Sequence, residues 1–192
     1  MKILVTGSYG QLGSSLFNYL SSNMEIFWTG KNIPYERNAF HLDICDRISL
    51  KELISLYDPD ILINLAALTN VDFCEKNPHL AMEINTNGVR NICDAFKGKI
   101  IQISTDYVFD GKNGPYIEED AVSPLSIYGK TKLEAEKIVM SHNSDNLIIR
   151  GNVLYDNFVS SKSSFLNWVV QSLKEKTSIK VVDDQINNPT WT

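Results

Sequence analysis

Two side chains that together could give a proton to a reacting oxygen stand four residues apart, at Tyr128 and Lys132. Residues i and i+4 of a helix share a face, so a phenol and an ammonium at this spacing point the same way. A free tyrosine titrates at about pH 10, and a cation within about 4–6 Å can lower the pKa of the phenol by about 1–3 units. The pair therefore predicts a proton donor suited to carbonyl reduction, because hydride addition to carbon leaves charge on oxygen.

A hydroxyl group beside this pair would complete such a site, and Ser104 and Thr105 offer two at the end of a predicted strand, Lys99–Ile103. In open α/β sheets, ligands bind beyond the carboxyl ends of the strands, where these hydroxyls would lie. A tyrosine and a lysine at this spacing are common in unrelated proteins and indicate little alone. Their meaning depends on the elements that would place them beside a cofactor.

A glycine-rich loop lies directly after the first apolar run and opens a helical pattern, with glycines at Gly7, Gly10 and Gly13. In dinucleotide-binding loops the first glycine permits a tight turn, the second lets the backbone approach a pyrophosphate, and the third lets helix pack on strand. The free N–H groups of the helix N-terminus also favour phosphate. A loop that serves packing alone is the alternative, but the strand–loop–helix context favours dinucleotide binding.

The type of dinucleotide depends on the end of the second strand, where an acid would favour NAD. The sequence there is Thr29-Gly30-Lys31-Asn32, without an acid. Lys31 could pair with a 2′-phosphate, which favours NADP(H) and leaves NAD(H) as the alternative. A solvated loop lysine is the competing interpretation.

Apolar runs and helical stripes alternate along the chain, which predicts parallel strands joined by right-handed crossovers. Strands are predicted at Ile3–Val5, Glu25–Thr29, Ala39–Leu42, Asp60–Leu65, Lys99–Ile103, Leu147–Ile149 and Ile179–Val182. Helices are predicted after the glycine loop, after Asp46, after Asn77-Pro78, from near Pro124 towards His142, and over Phe165–Leu173. The expected fold is α/β: a Rossmann-like, doubly wound parallel sheet of about seven strands, with the cofactor across the reversal of strand order.

The composition is that of an ordinary folded protein, with 43% hydrophobic and 21% charged residues among 192. A net charge of −5 argues against general binding to nucleic acid or to an anionic membrane. No apolar run approaches the roughly 18 residues that span a bilayer, and no signal peptide is expected. The cysteines Cys45, Cys74 and Cys93 lack CxxC spacing and predict reduced thiols in a cytoplasmic protein.

Other chemistries find little support in the sequence. The histidines His41, His79 and His142 lie far apart without a partner at ligand spacing, so no metal site is expected. The segment 110–114 lacks the closing Glu of a calcium loop and is predicted to be a turn.

Taken together, these motifs resemble extended short-chain dehydrogenases/reductases and, more narrowly, the dTDP-4-dehydrorhamnose reductase family of dTDP-L-rhamnose and cell-surface polysaccharide biosynthesis. The resemblance extends along the whole chain, in TGSYGQLG at 6–13, LD at 42–43, NLAALTNVD at 64–72, EINTNGVRN at 83–91, STDYVFDG at 104–111, SPLSIYGKTKLEAEK at 123–137 and VVDDQINNPT at 181–190. The STDYVFDG and YGKTK blocks together are specific to this family.

The resemblance implies a catalytic role for three residues. Tyr128 would be the general acid that protonates the C4 keto oxygen of a nucleotide-linked 4-keto-6-deoxysugar. Lys132 would hold the nicotinamide ribose and tune Tyr128, and Thr105 would hydrogen-bond the same oxygen. The pyrophosphate would be cradled by Gly7, Gly10, Gln11, Leu12 and Gly13.

The resemblance also implies contacts to adenine and substrate. Asp43 would meet the adenine, and Asp106 and Thr190 fall where relatives touch substrate. The wall beside the cofactor would be lined by Ala66, Ala67 and Leu68. Hydrogen bonding that only shapes the loops is the alternative for Asp43, Asn64 and Asn85.

Two departures from the family pattern bear on the substrate. Val153 stands where close relatives commonly carry a substrate-facing tryptophan, which leaves the exact sugar open. The chain stops at Thr192, whereas relatives continue into a C-terminal substrate lobe. We therefore expect residues 1–192 to be an NAD(P)-binding domain with the start of the substrate-binding region at about 151–192, the remaining lobe being largely absent.

Three other functions remain as alternatives. A 4,6-dehydratase would need an Asp-Glu pair after Thr105, but Asp106-Tyr107 stands there. A nucleotide-sugar C4 epimerase uses the same Tyr-Lys pair, so the pair does not exclude it. A non-catalytic, NADP-binding relative similar to the regulatory β subunit of methionine adenosyltransferase is the third, and a homodimer is compatible with any of them.

Overall fold

The computed structural model describes residues 1–20, 24–32, 39–155, 165–181, 183 and 188–192. Its main sheet contains the strands β1 (Lys2–Thr6), β2 (Glu25–Gly30), β3 (Phe40–His41), β4 (Ile61–Asn64), β5 (Lys99–Thr105) and β6 (Leu147–Gly151). They are parallel and lie in the order β3-β2-β1-β4-β5-β6. The order reverses between β1 and β4, which confirms the predicted doubly wound α/β fold and sets its ligand crevice at their carboxyl ends.

The helices of the described residues are α1 (Gln11–Tyr19), α2 (Arg47–Tyr57), α3 (Val71–Lys76), α4 (Pro78–Met82), α5 (Gly88–Ala95), α6 (Ile127–His142) and α7 (Phe165–Lys174). Local sequence explains where several begin. The Asp46 carboxylate caps α2 by accepting the N–H groups of Ile48 and Ser49, and the Ser126 hydroxyl caps α6 by accepting the N–H of Gly129. None of these helices is long and apolar enough to cross a bilayer.

The core joins the central strands to the helices that cover them. Leu4 of β1, Leu62 of β4 and Ile100 of β5 are fully buried and share one cluster with Ile92 of α5 and Val139 of α6. Each such side chain contributes about 1.5–3 kcal/mol through burial. The strands that carry the candidate site are therefore anchored immediately below it.

The helix predicted after Asn77-Pro78 is interrupted by a π-helical turn, Glu83–Asn87, between α4 and α5. Asn85 and Thr86 of this turn are buried and face α6, where the Thr86 hydroxyl donates to the Thr131 carbonyl at 3.0 Å. Such turns often occur at functional sites. Helix α3 was not predicted, because six residues are too few to show a helical period.

The predicted strand Ile179–Val182 is wrong for Ile179, Lys180 and Val181, which form no strand, while Val182 lies outside the described residues. Val181 is 52% exposed, so the apolar alternation has no buried face to fill. A strand needs a hydrogen-bonded neighbour, which alternation alone does not supply. The further strands are instead β7 (Leu154–Tyr155) and β8 (Thr190–Trp191), which pair with each other in parallel.

Candidate active site

Tyr128 stands in the first turn of α6, close to the loop that follows β5. A Cβ atom on Gly129 would overlap the Tyr107 carbonyl oxygen, so only glycine lets the helix start approach this backbone. The Tyr107 and Tyr128 rings meet edge to face, with centroids 5.7 Å apart. Gly129 is thus a positioning residue that sequence reasoning missed, although its place beside Tyr128 was a signal.

Thr105 ends β5 and lies beside the phenol. Its hydroxyl is near enough to Tyr128 to act on the pKa of the phenol, and it lies 3.1 Å from the Asp106 carboxylate, to which it donates. The same oxygen accepts the N–H of Tyr107 at 3.2 Å, which fixes the 3₁₀ turn Asp106–Val108. The structure therefore brings together Tyr128, Thr105 and Asp106.

Lys132 lies one turn further along α6, with only 3% of its surface exposed. Its ammonium donates to the main-chain carbonyl of Ile103 at 2.5 Å, which places the charge against the end of β5. Burial lowers the pKa of Lys132 to about 8, and the charge of Glu136 acts in the opposite direction. Tyr128 and Lys132 share a helix face, as their spacing predicts.

The expectation that a nearby cation lowers the pKa of Tyr128 is wrong for this structure. Burial dominates and raises the pKa of Tyr128 to about 12, although the hydroxyl of Thr105 acts to lower it. The negative charge of Asp106 raises it further. The phenol accordingly holds its proton at neutral pH, as a general acid must.

The glycine loop has the form that a bound pyrophosphate requires. Gly7 has a φ of +66°, and a Cβ there would lie 2.5 Å from the Ala66 nitrogen. A Cβ on Gly13 would lie 2.5 Å from the Ser8 carbonyl oxygen, so α1 packs directly against the loop. These contacts hold the loop at the carboxyl ends of β1 and β4.

The start of α1 offers donors for an anion. Gly10 precedes the helix without a side-chain cap, and the first N–H groups of a helix, here those of Gln11, Leu12 and Gly13, have no intrahelical partner. The side-chain nitrogen of Gln11 is buried and has no hydrogen-bond partner. A buried donor without an acceptor is uncommon. These residues therefore fit a phosphate-bearing cofactor.

Lys31 and Asp43 meet at the ends of β2 and β3. The Lys31 ammonium lies 2.7 Å from the Asp43 carboxylate, and their side chains are 67% and 25% exposed. Burial alone would raise the pKa of Asp43, but hydrogen bonds from Lys31 and the N–H of Cys45 lower it overall. The same ion pair raises the pKa of Lys31. Lys31, which is predicted to bind a 2′-phosphate, is thus paired with Asp43, which is predicted to contact the adenine.

The wall predicted from Ala66, Ala67 and Leu68 is a segment after β4 that two asparagines fix. The Asn64 side-chain oxygen accepts the N–H of Ala66 at 3.2 Å. Asn85 accepts the Leu68 N–H at 2.8 Å and donates to its carbonyl at 3.0 Å. Asn85 also donates to the Thr131 hydroxyl on α6. Both asparagines therefore have the loop-shaping contacts that the sequence left as an alternative.

Val153 and Thr190, both predicted to contact substrate, lie next to each other. The N–H of Thr190 donates to the Val153 carbonyl at 2.8 Å, at the start of the β7–β8 pair. The Ser15 hydroxyl of α1 donates to the Thr192 hydroxyl at 3.1 Å, which joins this pair to the helix of the glycine loop. The two residues stand on elements separate from the one that carries Tyr128.

This fold and site define a Rossmann-like α/β domain of the short-chain dehydrogenase/reductase class. The chain belongs to the RmlD substrate binding domain family, which matches residues 1–192.

Three similar proteins carry informative names. The dTDP-4-dehydrorhamnose reductase of Aggregatibacter actinomycetemcomitans is 32% identical over 99% of this chain and 63% of its own length. Methionine adenosyltransferase 2 subunit beta of Danio rerio is 30% identical over 100% of this chain and 60% of its own length. The crystal structure of dTDP-4-dehydrorhamnose reductase from Bacillus anthracis str. Ames in complex with NADP is 33% identical, with a TM-score of 0.88 over 99% of this chain and 66% of that one. The chain thus spans less than two thirds of the length of these relatives.

Proposed function

We propose that this chain is the cofactor domain of an NADP(H)-dependent reductase that acts on the C4 ketone of a nucleotide-linked 4-keto-6-deoxysugar, as in dTDP-4-dehydrorhamnose reductases. The observation that carries the proposal is that Tyr128 is buried beside Thr105 at the end of β5, with the buried Lys132 one turn away. The glycine loop stands at the same sheet edge, at the end of β1.

When bound, the nicotinamide supplies the hydride. Tyr128 gives its proton to the ketone oxygen, because burial keeps the phenol protonated until a more basic oxygen develops beside it. Thr105 steadies that oxygen through its hydroxyl, and Lys132 holds the ribose and offsets the charge left on the phenol. Asp106, Val153 and Thr190 contact the sugar nucleotide.

The cofactor is held from both ends. The N–H groups at the start of α1 bind the pyrophosphate, Ala66, Ala67 and Leu68 line one wall, and Asp43 meets the adenine. Lys31 pairs with the 2′-phosphate, so it exchanges Asp43 for a phosphate when NADP(H) binds. The complex of the Bacillus anthracis reductase with NADP supports NADP(H) as the cofactor.

A fluorescence titration of the purified chain with NADPH and with NADH tests cofactor binding first. The proposal expects saturable binding with NADPH favoured. Consumption of NADPH with a dTDP-linked 4-keto-6-deoxysugar by a full-length form, slowed by about 10²–10⁴ in Tyr128→Phe, then tests the reaction. Interconversion of C4 epimers without net consumption would support the epimerase instead, and binding of NADPH without any turnover by a full-length form would contradict the reductase.

The second candidate function is the non-catalytic, NADP-binding regulatory subunit. It is favoured by the likeness to the Danio rerio subunit, which covers the whole chain. Stable association with a partner enzyme and unchanged partner regulation in Tyr128→Phe would support it, since a regulatory subunit does not need the phenol proton.

We further propose that the protein acts in the cytoplasm, without nucleic acid or membrane as partners. Free thiols at Cys45, Cys74 and Cys93 support a reducing compartment. A homodimer stays a prediction, which sedimentation of the purified chain would test.

A further inference from the structure

Glu136 is a buried carboxylate that neither the motifs nor the proposed reaction assigns a role. It lies one turn beyond Lys132 on α6, so Tyr128, Lys132 and Glu136 follow one another along one face. Only 5% of Glu136 is exposed. A buried charge is tolerated only when it is paired and hydrogen-bonded, so its partners decide what it can do.

Both oxygens of Glu136 are occupied by two other residues. Arg150 of β6 donates from Nε to Oε1 at 3.0 Å and from Nη2 to Oε2 at 2.7 Å, which is a bidentate pair. The Ser104 hydroxyl of β5 donates a further, short hydrogen bond to Oε1. Oε1 of Glu136 thus accepts two hydrogen bonds and Oε2 one, and Lys132 forms no salt bridge with either oxygen but donates to the Ile103 carbonyl instead.

Arg150 is itself fixed from other sides. Its Nη1 donates to the Glu118 carbonyl at 3.0 Å, and its guanidinium lies 5.2 Å from the centre of the Phe109 ring. Arginine stays charged at any physiological pH. Glu136 is thus locked onto a permanent cation by a rigid fork, and not by a mobile surface pair.

Lys132 and Glu136 each hydrogen-bond a different one of two adjacent residues of β5. The Ile103 carbonyl accepts the ammonium of Lys132, and the next residue, Ser104, donates to Glu136. Two cations, Lys132 and Arg150, therefore share one carboxylate, but only Arg150 bonds to it.

We propose that Glu136 is a positioning residue for Lys132: its charge keeps the ammonium protonated, while Arg150 and Ser104 prevent it from drawing the ammonium into a closed ion pair. The ammonium then stays at the end of β5, on the face it shares with Tyr128. The role in catalysis rests on the proposed function, whereas the electrostatic coupling does not.

The charges around this cluster agree with that assignment. Burial alone lowers the pKa of Lys132, and Glu136 is the group that raises it. Other titratable groups face the site from neighbouring elements: Arg150 from β6, Asp106 and Tyr107 from the 3₁₀ turn, and Cys74 from α3. Asp106, Tyr107 and Cys74 act on Tyr128, which leaves Glu136 as the carboxylate coupled to the lysine.

The test measures the protonation of Lys132 directly, by NMR titration of the ¹³Cε resonance in lysine-labelled protein, assigned with Lys132→Arg. In Glu136→Gln we expect the midpoint of Lys132 to fall by about 1 unit or more, because an opposite charge has been removed. In Arg150→Met we expect it to rise, because a like charge is lost and Glu136 is freed to pair with Lys132. Opposite signs from two partners of one ion pair are not expected of a purely structural contact.

Glu134→Gln is the matched control, since Glu134 lies on the same helix and pairs with Lys137 at the surface. It should leave the midpoint of Lys132 unchanged. Glu136→Asp, which keeps the charge, should retain a midpoint nearer to the wild type and serves if Glu136→Gln does not fold. An identical midpoint in Glu136→Gln and the wild type, or a fall in Arg150→Met, would overturn the proposal.

The activity arm separates this proposal from the proposed function. If the enzyme turns over, the alkaline limb of its pH–kcat profile should move to lower pH in Glu136→Gln and to higher pH in Arg150→Met. If neither the wild type nor any variant turns over in a full-length form, the reductase proposal fails, while the NMR midpoints still decide the coupling.

Discussion

The Lys31 ammonium lies 2.7 Å from the Asp43 carboxylate, at the place where the sequence predicts the adenosine end of a dinucleotide. Two residues predicted to serve the cofactor separately therefore contact each other. Because Lys31 is largely exposed, this pair contributes little to folding stability and can exchange its anion readily. The ion pair keeps Lys31 near the strand end without binding it tightly.

Charge reversal at this lysine tests the 2′-phosphate contact. In Lys31→Glu we expect the Kd for NADPH to rise by about tenfold or more, because a hydrogen bond to a charged group is worth about 1.5–3 kcal/mol, whereas the Kd for NADH should change little. Fluorescence titration with both cofactors measures the difference. Lys112→Glu, at another exposed lysine paired with an aspartate, is the control. Equal weakening of both cofactors would contradict the assignment.

Removal of the phenol tests the general acid. In an active full-length form, Tyr128→Phe should lower the rate by about 10²–10⁴, because the proton donor is lost, and leave the Kd for NADPH nearly unchanged. Steady-state kinetics and fluorescence titration of the same preparation give both values. A melting curve should show that the variant is folded, since the ring still packs against Tyr107. Full activity would refute the role of Tyr128.

The two glycines with positive φ predict different consequences of the same substitution. Gly7→Ala and Gly111→Ala both force alanine into the left-handed region, which costs about 1–2 kcal/mol. At Gly111 no atom lies within 4 Å of the added Cβ, whereas at Gly7 the backbone of Ala66 lies 2.5 Å away. Denaturant unfolding should therefore show a clearly larger loss for Gly7→Ala, accompanied by weaker NADPH binding. Equal losses would show that the contact with Ala66 is unimportant.

The buried lysine makes stability depend on pH in a defined direction. Its pKa is about 8 in the fold against 10.5 ordinarily, so the unfolded chain binds more protons between these values. The cost of burying the ammonium is complete below pH 8 and diminishes as the pH rises towards 10.5. Lys132→Met removes that cost, and we expect it to be more stable at pH 7 by about 3 kcal/mol, since each unit is worth 1.36 kcal/mol.

The wild type and Lys132→Met share all other titratable groups, including Cys93, whose pKa burial raises to about 11. The difference between their stabilities therefore reports on Lys132 alone. Urea unfolding at pH 7 and at pH 9 should show the advantage of Lys132→Met shrinking as the pH rises. An advantage that is independent of pH would mean that Lys132 is not charged below pH 8, contrary to expectation.

Much of the fold followed from local patterns, because helix periods, caps and glycine spacing act within a few residues. The shared face of Tyr128 and Lys132 and the packing of Gly7 and Gly13 belong to this class. The pKa of Tyr128 could not be predicted, since it depends on burial supplied by α3 and the loop after β5. Likewise, the pairing of Lys31 with Asp43 depends on two strand ends that meet only in the sheet.

The predicted strand Ile179–Val182 failed for a related reason. Its alternation of apolar residues is local, but a strand forms only where a neighbour presents free N–H and C=O groups. Leu154–Tyr155 finds such a neighbour in Thr190–Trp191, across more than thirty residues of sequence. For Glu136, the four-residue spacing to Lys132 is visible in the sequence. Its ion-pair partner Arg150 lies on another element, so that pairing could not be predicted.

The π-helical turn lets the helical segment from α4 to α5 face two different neighbours. Each residue of an α-helix advances it by about 100°, so one additional residue in a turn rotates everything after it by that angle. Within this turn the segment contacts α6 through Asn85, and after it the segment contacts the core through Val89 and Ile92. Deleting one residue within Glu83–Asn87 would force a choice between the two alignments. Either Leu68 would lose its hydrogen bonds to the Asn85 side chain, or the sheet would lose its packing against Val89 and Ile92.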